Sequence, residues 1–180
     1  MRLRSLKQLL AAASALSAPE RIVIIGSSSL LPDNPTLGEA DQPLEQSYDT
    51  DLIITPMDDE TAAILAESIG QQSAFAKRHG YYADILRPVM AETLPAGWES
   101  RLHPVEGFDY VFALDIYDLA LVKLMVGRAK DLELLRALIG RKLLDLDRLS
   151  RHYQSVPLGE RDAIAAGRNL TLLCRELNLQ

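Results

Sequence analysis

A run of β-branched residues, Arg21-Ile-Val-Ile-Ile, stops at Gly26-Ser27-Ser28-Ser29, and a second apolar run is entered through Tyr48-Asp49-Thr50-Asp51. No other feature constrains the fold as strongly. β-Branched residues favour strands and Asp is depleted in them, so two Asp at the mouth of a strand need a reason. Residues i and i+2 of a strand point to one face. Asp49 and Asp51 can therefore converge on one hard cation such as Mg²⁺. A Ser-rich turn that opens a helix offers backbone N–H groups and hydroxyls to phosphate. Turn and carboxylate pair together imply metal-dependent phosphoryl or nucleotidyl transfer.

Other readings of the turn fail on particular residues. A dinucleotide fingerprint needs two further glycines after Gly26. A nucleophile elbow centred on Ser28 needs Gly at position 30, which is Leu30. Asp84, in Tyr81-Tyr-Ala-Asp-Ile-Leu, is the best third carboxylate, again a charge in a strand-like run. Further on, Lys123 is embedded in Leu119, Ala120, Leu121, Val122, Leu124 and Met125. Such a lysine either snorkels or meets a buried anion. Arg128, Lys130 and Asp131 follow within one turn between helices. Asp131 is placed either to cap the next helix or to pair with Lys123 or Arg128. In concert with the Asp pair, these cations suggest phosphate binding.

The pattern predicts an α/β (α+β) fold. A small mixed β-sheet with flanking helices comes first, and a C-terminal helical bundle follows. Helices are expected over 3–17, from Asp58 to Gly70, and over one turn at 74–79. Strands are expected at 21–25, 52–55, 81–86, 100–105 and 110–114. After Asp115 the Leu-rich stripes predict helices over 116–127, 131–140, 144–153 and 159–177. The expected division is 1–115 as core and 116–180 as a bundle packed on it. Residues 32–46, rich in Pro, Gly and acidic groups, read as a loop and a mobile rim over the pocket.

A net charge of −6 argues against a broad nucleic-acid surface but not against a local basic pocket. A single cysteine excludes an internal disulfide, and Cys174 reads as a small buried hydrophobe. The basic and apolar start of the chain has the zones of a weak signal peptide. Leu3, Leu6, Leu10, Ala13 and Leu16 follow a helical stripe instead, and an amphipathic helix of a cytoplasmic protein is the expectation. No apolar run is long enough to span a membrane.

On these residues the chain resembles the nucleotidyltransferase superfamily with the DNA-polymerase-β-like fold. It looks more closely like the small AbiEii-type toxins of type IV toxin–antitoxin systems. The matching segments are Ile25-Gly-Ser-Ser-Ser, Tyr48-Asp-Thr-Asp-Leu, and Asp118 to Leu132 with its Gly-Arg-Ala-Lys-Asp-Leu. The interval from Gly26 to Asp49 is longer than the family's usual one. The resemblance implies that Asp49 and Asp51 bind Mg²⁺, with Asp84 as third carboxylate and general base. It implies that Gly26, Ser27 and Ser28 hold phosphates, and that Lys123, with Arg128 and Asp131, belongs to the later motif that stabilises phosphate charge. The implied reaction moves an NMP from an NTP to a hydroxyl of an RNA end, a protein or a small molecule. An antitoxin is an implied partner. The rival expectation is a non-catalytic nucleotide-binding or protein-interaction module on the same fold.

Overall fold

The computed structural model describes residues 1–178. By compactness the chain divides into two units. One comprises Met1–Thr93 with Leu102–Asp115, and the other Leu94–Arg101 with Ile116 onward. The fold is mixed α/β: seven α-helices, one five-stranded sheet and a C-terminal run of helices among the described residues.

The first unit is built on strands β1 (Arg21–Ile24), β2 (Asp49–Thr55), β3 (Tyr82–Leu86), β4 (His103–Pro104) and β5 (Val111–Ala113), in the order β3-β2-β1-β5-β4. β1 runs antiparallel to β2 and parallel to β5, β2 runs parallel to β3, and β4 is antiparallel to β5. The central strands read as apolar runs because both faces are covered: Ile22, Ile24, Leu52, Ile54 and Val111 are fully buried on one face, and Val23 and Ile53 are buried on the other.

Helix α1 (Leu3–Ser17) contributes Leu6, Leu9, Leu10 and Ala13 to this core, all at zero exposure. Helix α2 (Asp59–Ile69) adds Leu65 and Ile69. Its first turn is held by Asp58, which accepts from the Thr61 N–H at 2.7 Å. Helix α3 (Ala74–His79) starts the same way at Ser73, which accepts from the Ala76 N–H. No described helix is long and apolar enough to cross a membrane.

Two expectations are corrected here. The run 100–105 is not one strand. Trp98–Arg101 coils into a 3₁₀ turn and only His103–Pro104 pairs with β5. The reason is Arg101, whose guanidinium grips Asp118 at 2.8 Å through both Nε and Nη2 and draws Leu94–Arg101 into the second unit. Nor do residues 32–46 form a free rim. Pro35–Gly38 makes a 3₁₀ turn, and Leu31, Leu37 and Leu44 are buried to within a few per cent. Gly38 lies so close to the Met1 carbonyl that a Cβ would overlap it. Apolar anchors outweigh the polar composition that suggested mobility.

The second unit holds α4 (Ile116–Val126), α5 (Ala129–Gly140), α6 (Leu146–Ser155) and α7 (Glu160–Asn178). α4 ends at Gly127, in the left-handed region at φ 64°. A Cβ there would collide with Asn169, whose buried amide donates to the Leu124 carbonyl at 2.7 Å. That bond satisfies a carbonyl at the end of α4, which has no partner within its own helix. α5 and α7 are joined by Arg136 and Glu176 at 2.8 Å. Cys174 is half-buried rather than a core residue, on the wall of a cavity of about 760 Å³ beside Tyr153 and Leu170.

Candidate active site

Strand directions decide where the chemistry gathers. β1 ends where β2 begins, since Ile24 pairs with Leu52 and the Ile25 N–H donates to the Asp51 carbonyl. β3 is parallel to β2 and starts at the same edge, and β5 is parallel to β1 and ends there. The Gly-Ser turn after β1, the Asp pair opening β2, the start of β3 and Asp115 after β5 therefore share one edge of the sheet.

On that edge Asp49 pairs in register with Tyr82, and Asp51 with Asp84. Alternation places Asp49 and Asp51 on one face of β2, away from Thr50, which is fully buried. Tyr82 and Asp84 share the matching face of β3. Neighbouring strands lie about 4.8 Å apart, so four side chains form a two-by-two patch. Asp49 and Asp51 are half-buried and Asp84 is exposed. The field over the patch is negative. Burial first, then Asp49, Asp84 and Asp51, hold the Tyr82 phenol above its ordinary pKa.

The turn meets this patch directly. A Cβ on Gly26 would overlap the Asp51 carboxylate, so only glycine lets that carboxylate lie against the turn. Ser27–Leu30 then forms a 3₁₀ turn. Ser27 is half-buried, while Ser28 and Ser29 are 1% and 2% exposed. The hydroxyls of Ser28 and Ser29 have no hydrogen-bond partner. A buried hydroxyl left so costs about 1–3 kcal/mol. Two such hydroxyls lie side by side next to the carboxylate pair.

These residues suit a hard cation. Among the described residues no three His, Cys, Asp or Glu side chains gather tightly enough to ligate one ion by themselves. Mg²⁺ ordinarily takes one or two carboxylates and fills its octahedron with water and substrate phosphates. A carboxylate pair beside a turn with orphaned hydroxyls has that donor chemistry.

Other groups at this edge escape a reading of the sequence. His103 lies 3.0 Å from Asp33 through Nδ1 and 3.2 Å from Asp115 through Nε2. It ties the segment after the Gly-Ser turn to the end of β5. No local pattern announces it, because Asp33 and His103 are far apart in the chain. Tyr82 did have a signal. Tyr82-x-Asp84 repeats the i, i+2 spacing of Asp49-x-Asp51.

The second unit brings together Lys123, Arg128 and Asp131. Lys123 Nζ is 2.8 Å from Asp131 Oδ1, and Arg128 Nε is 2.7 Å from Asp131 Oδ2. Lys123 thus meets a buried anion rather than snorkelling, with its side chain 12% exposed. Asp131 does not cap α5: Arg128 holds the cap position and Asp131 lies inside the first turn. Burial presses the Asp131 pKa upward, but hydrogen bonds from Arg128 and Lys123 outweigh it and hold the group below the usual carboxylate value. Lys130 is exposed. A second network was not foreseen: Asp118, fully buried, accepts from Arg101 and faces His152 Nε2 at 2.8 Å.

No curated protein and no solved structure matches the chain. A family model described as "Nucleotidyltransferase of unknown function (DUF6036)" matches residues 2–158. That span covers most of the chain, including the Gly-Ser turn, the carboxylate patch and the Lys123 cluster, and the chain belongs to this nucleotidyltransferase family.

Proposed function

We propose that the protein is a Mg²⁺-dependent nucleotidyltransferase that moves an NMP from an NTP to a hydroxyl acceptor. The observation that carries this reading is the juxtaposition of Asp49 and Asp51 on one sheet face with Gly26, whose missing Cβ makes room for the Asp51 carboxylate. Asp49 and Asp51 would hold the cation, whose chemistry is to neutralise triphosphate charge. Gly26, Ser27 and Ser28 receive phosphate oxygens. An acceptor oxygen forms its bond to the α-phosphorus while the bond from that phosphorus to the pyrophosphate oxygen breaks. Asp84, exposed beside Asp51, takes the acceptor's proton.

Lys123 and Arg128 are assigned to phosphate, with Asp131 fixing the Lys123 ammonium. An ammonium has three N–H donors, so the bond to Asp131 leaves capacity for an anion. Kinship with AbiEii-type toxins, and with it an antitoxin partner, rests on the Gly-Ser turn, the Asp49-x-Asp51 pair and above all the 118–132 segment, while a cytoplasmic setting rests on the amphipathic pattern of the N-terminal helix. A small molecule, an RNA end and a protein hydroxyl are the candidate acceptors.

The test is equilibrium binding of each NTP with and without Mg²⁺, alongside transfer of α-labelled nucleotide. Wild type should bind in a Mg²⁺-dependent way, and Asp49→Asn/Asp51→Asn should lose both binding and transfer. Equal binding by wild type and the double variant would leave the rival, a non-catalytic module on the same fold.

A further inference from the structure

The candidate site has two flanks, and only one carries groups already assigned to phosphate. Crossing the sheet from β1, the order is the Gly26 turn, then Asp51 and Asp49 on β2, then Asp84 and Tyr82 on β3. Two strand spacings separate β1 from β3, about 10 Å. A triphosphate chain together with the ribose it carries spans that distance. A nucleotide whose terminal phosphates lie at the Gly-Ser turn and whose phosphate chain crosses the carboxylate pair delivers its sugar and base to β3.

The side chain waiting there is aromatic. Tyr82 stands in register with Asp49 on the carboxylate face and is half-buried, so the residue keeps some access to solvent. Its neighbour Tyr81 is turned the other way, and its hydroxyl donates to Gln8 of α1 at 2.9 Å. Tyr81 also packs edge-on against Phe75 at 5.5 Å between ring centres, as a core aromatic does. Adjacent tyrosines thus divide between a structural face and the candidate site. An aromatic face at the end of a phosphate track is a stacking platform, tolerant of base identity because every base has a π-face.

We propose that Tyr82 is the nucleoside-binding residue of this site, its ring receiving the base or ribose of an NTP whose phosphates are held at Asp49, Asp51 and the Gly-Ser turn. The proposal rests on the nucleotidyltransferase reading and deepens it by dividing the site into a phosphate flank and a nucleoside flank.

The division can be read without the acceptor and without turnover. The probes are Mg²⁺ with inorganic tripolyphosphate, and Mg²⁺ with each of the four α,β-methylene NTPs, by calorimetry. Tyr82→Ala should weaken the tightest NTP analogue about tenfold, within the range measured for loss of one base-stacking aromatic, and leave tripolyphosphate affinity unchanged. Tyr82→Phe, which keeps the ring, should restore the NTP affinity. Tyr81→Phe should change neither ligand. If Tyr82→Ala weakens tripolyphosphate as much as the NTP analogues, Tyr82 supports the fold and the proposal is wrong. If it weakens neither, the proposal is wrong while the metal reading stands. If wild type binds neither ligand with Mg²⁺, or Asp49→Asn/Asp51→Asn binds both as wild type does, the nucleotidyltransferase reading and this proposal fall together.

Discussion

Two groups of aspartates in this chain are placed under opposite rules. In the helical unit, Asp118 and Asp131 are buried to 0% and 1% exposure, and each is enclosed by basic side chains: Arg101 and His152 for the first, Lys123 and Arg128 for the second. On the sheet edge, Asp49, Asp51 and Asp84 keep partial access to solvent and share one face. Burial of a carboxylate is tolerated when paired cations replace its hydration. Like charges gathered on an open face repel one another, and a cation placed among them relieves that repulsion. Enclosed aspartates hold the bundle together. Gathered ones form the candidate site.

That contrast can be broken by mutation, and the largest effect belongs to the enclosed group. Asp118→Ala strands Arg101 and His152 around an emptied site. Removing one partner of a buried pair costs about 3–5 kcal/mol, or a melting point lower by about 10 °C for a chain of this size. Thermal denaturation followed by circular dichroism measures it, and a shift below 2 °C would mean that the network contributes little.

Asp131→Asn should be next, at about 2–3 kcal/mol, since the amide still accepts from one donor but no longer balances Lys123. Acid sharpens this case. The Asp131 pKa is lowered in the folded chain. Its stabilisation is therefore complete above the unfolded value near 3.9 and is lost as pH falls through the lower folded value. Urea midpoints of wild type and Asp131→Asn should differ most near neutral pH and converge well below pH 4. A difference that persists at pH 2 would assign the effect to packing.

Gly26→Ala bridges the two groups. Its Cβ overlaps the Asp51 carboxylate, and overpacking of that kind costs about 1–3 kcal/mol. The same displacement should weaken Mg²⁺-dependent nucleotide binding, so stability and affinity fall together. Asp49→Asn should separate them. Its stability should stay within about 0.5 kcal/mol of wild type, as for surface changes outside the stabilising networks, while Mg²⁺-dependent binding is lost. A large destabilisation by Asp49→Asn would place Asp49 with the structural aspartates.

The smallest effect is the most diagnostic of the turn. Ser28 and Ser29 carry buried hydroxyls without partners. Ser28→Ala should stabilise the ligand-free protein by up to about 1 kcal/mol, because an unsatisfied group is removed. Weaker nucleotide binding by this more stable variant would show that the hydroxyl is held for a ligand. Destabilisation would mean that a bound water satisfies it.

Much of the first unit is legible from local chemistry. β-Branched runs mark β1 and β2, Asp58 and Ser73 announce the starts of α2 and α3, and Gly80 ends α3 in the left-handed region at φ 77°. The i, i+2 spacing of Asp49 and Asp51 already commits both to one face once the strand is granted. Failures occur where a distant partner outbids local preference. Residues 100–105 read as a strand, yet Arg101 turns the chain towards Asp118. Residues 32–46 have loop composition, yet Leu37 and Leu44 pin them down.

What the sequence by itself determined is the set of elements and the pairing of Asp49 with Asp51, because periodicity, capping and alternation act over a few residues. Only the tertiary structure decided that the turn after β1, the start of β2 and the start of β3 meet at one edge, since that depends on strand direction and register. It also decided that Tyr82 rather than Tyr81 joins the carboxylates, and that His103 joins Asp33 to Asp115. The physical reason is the same in each case. A side chain's orientation follows from its own strand, but its neighbours are chosen by contacts between segments far apart in the chain, and no local pattern encodes them.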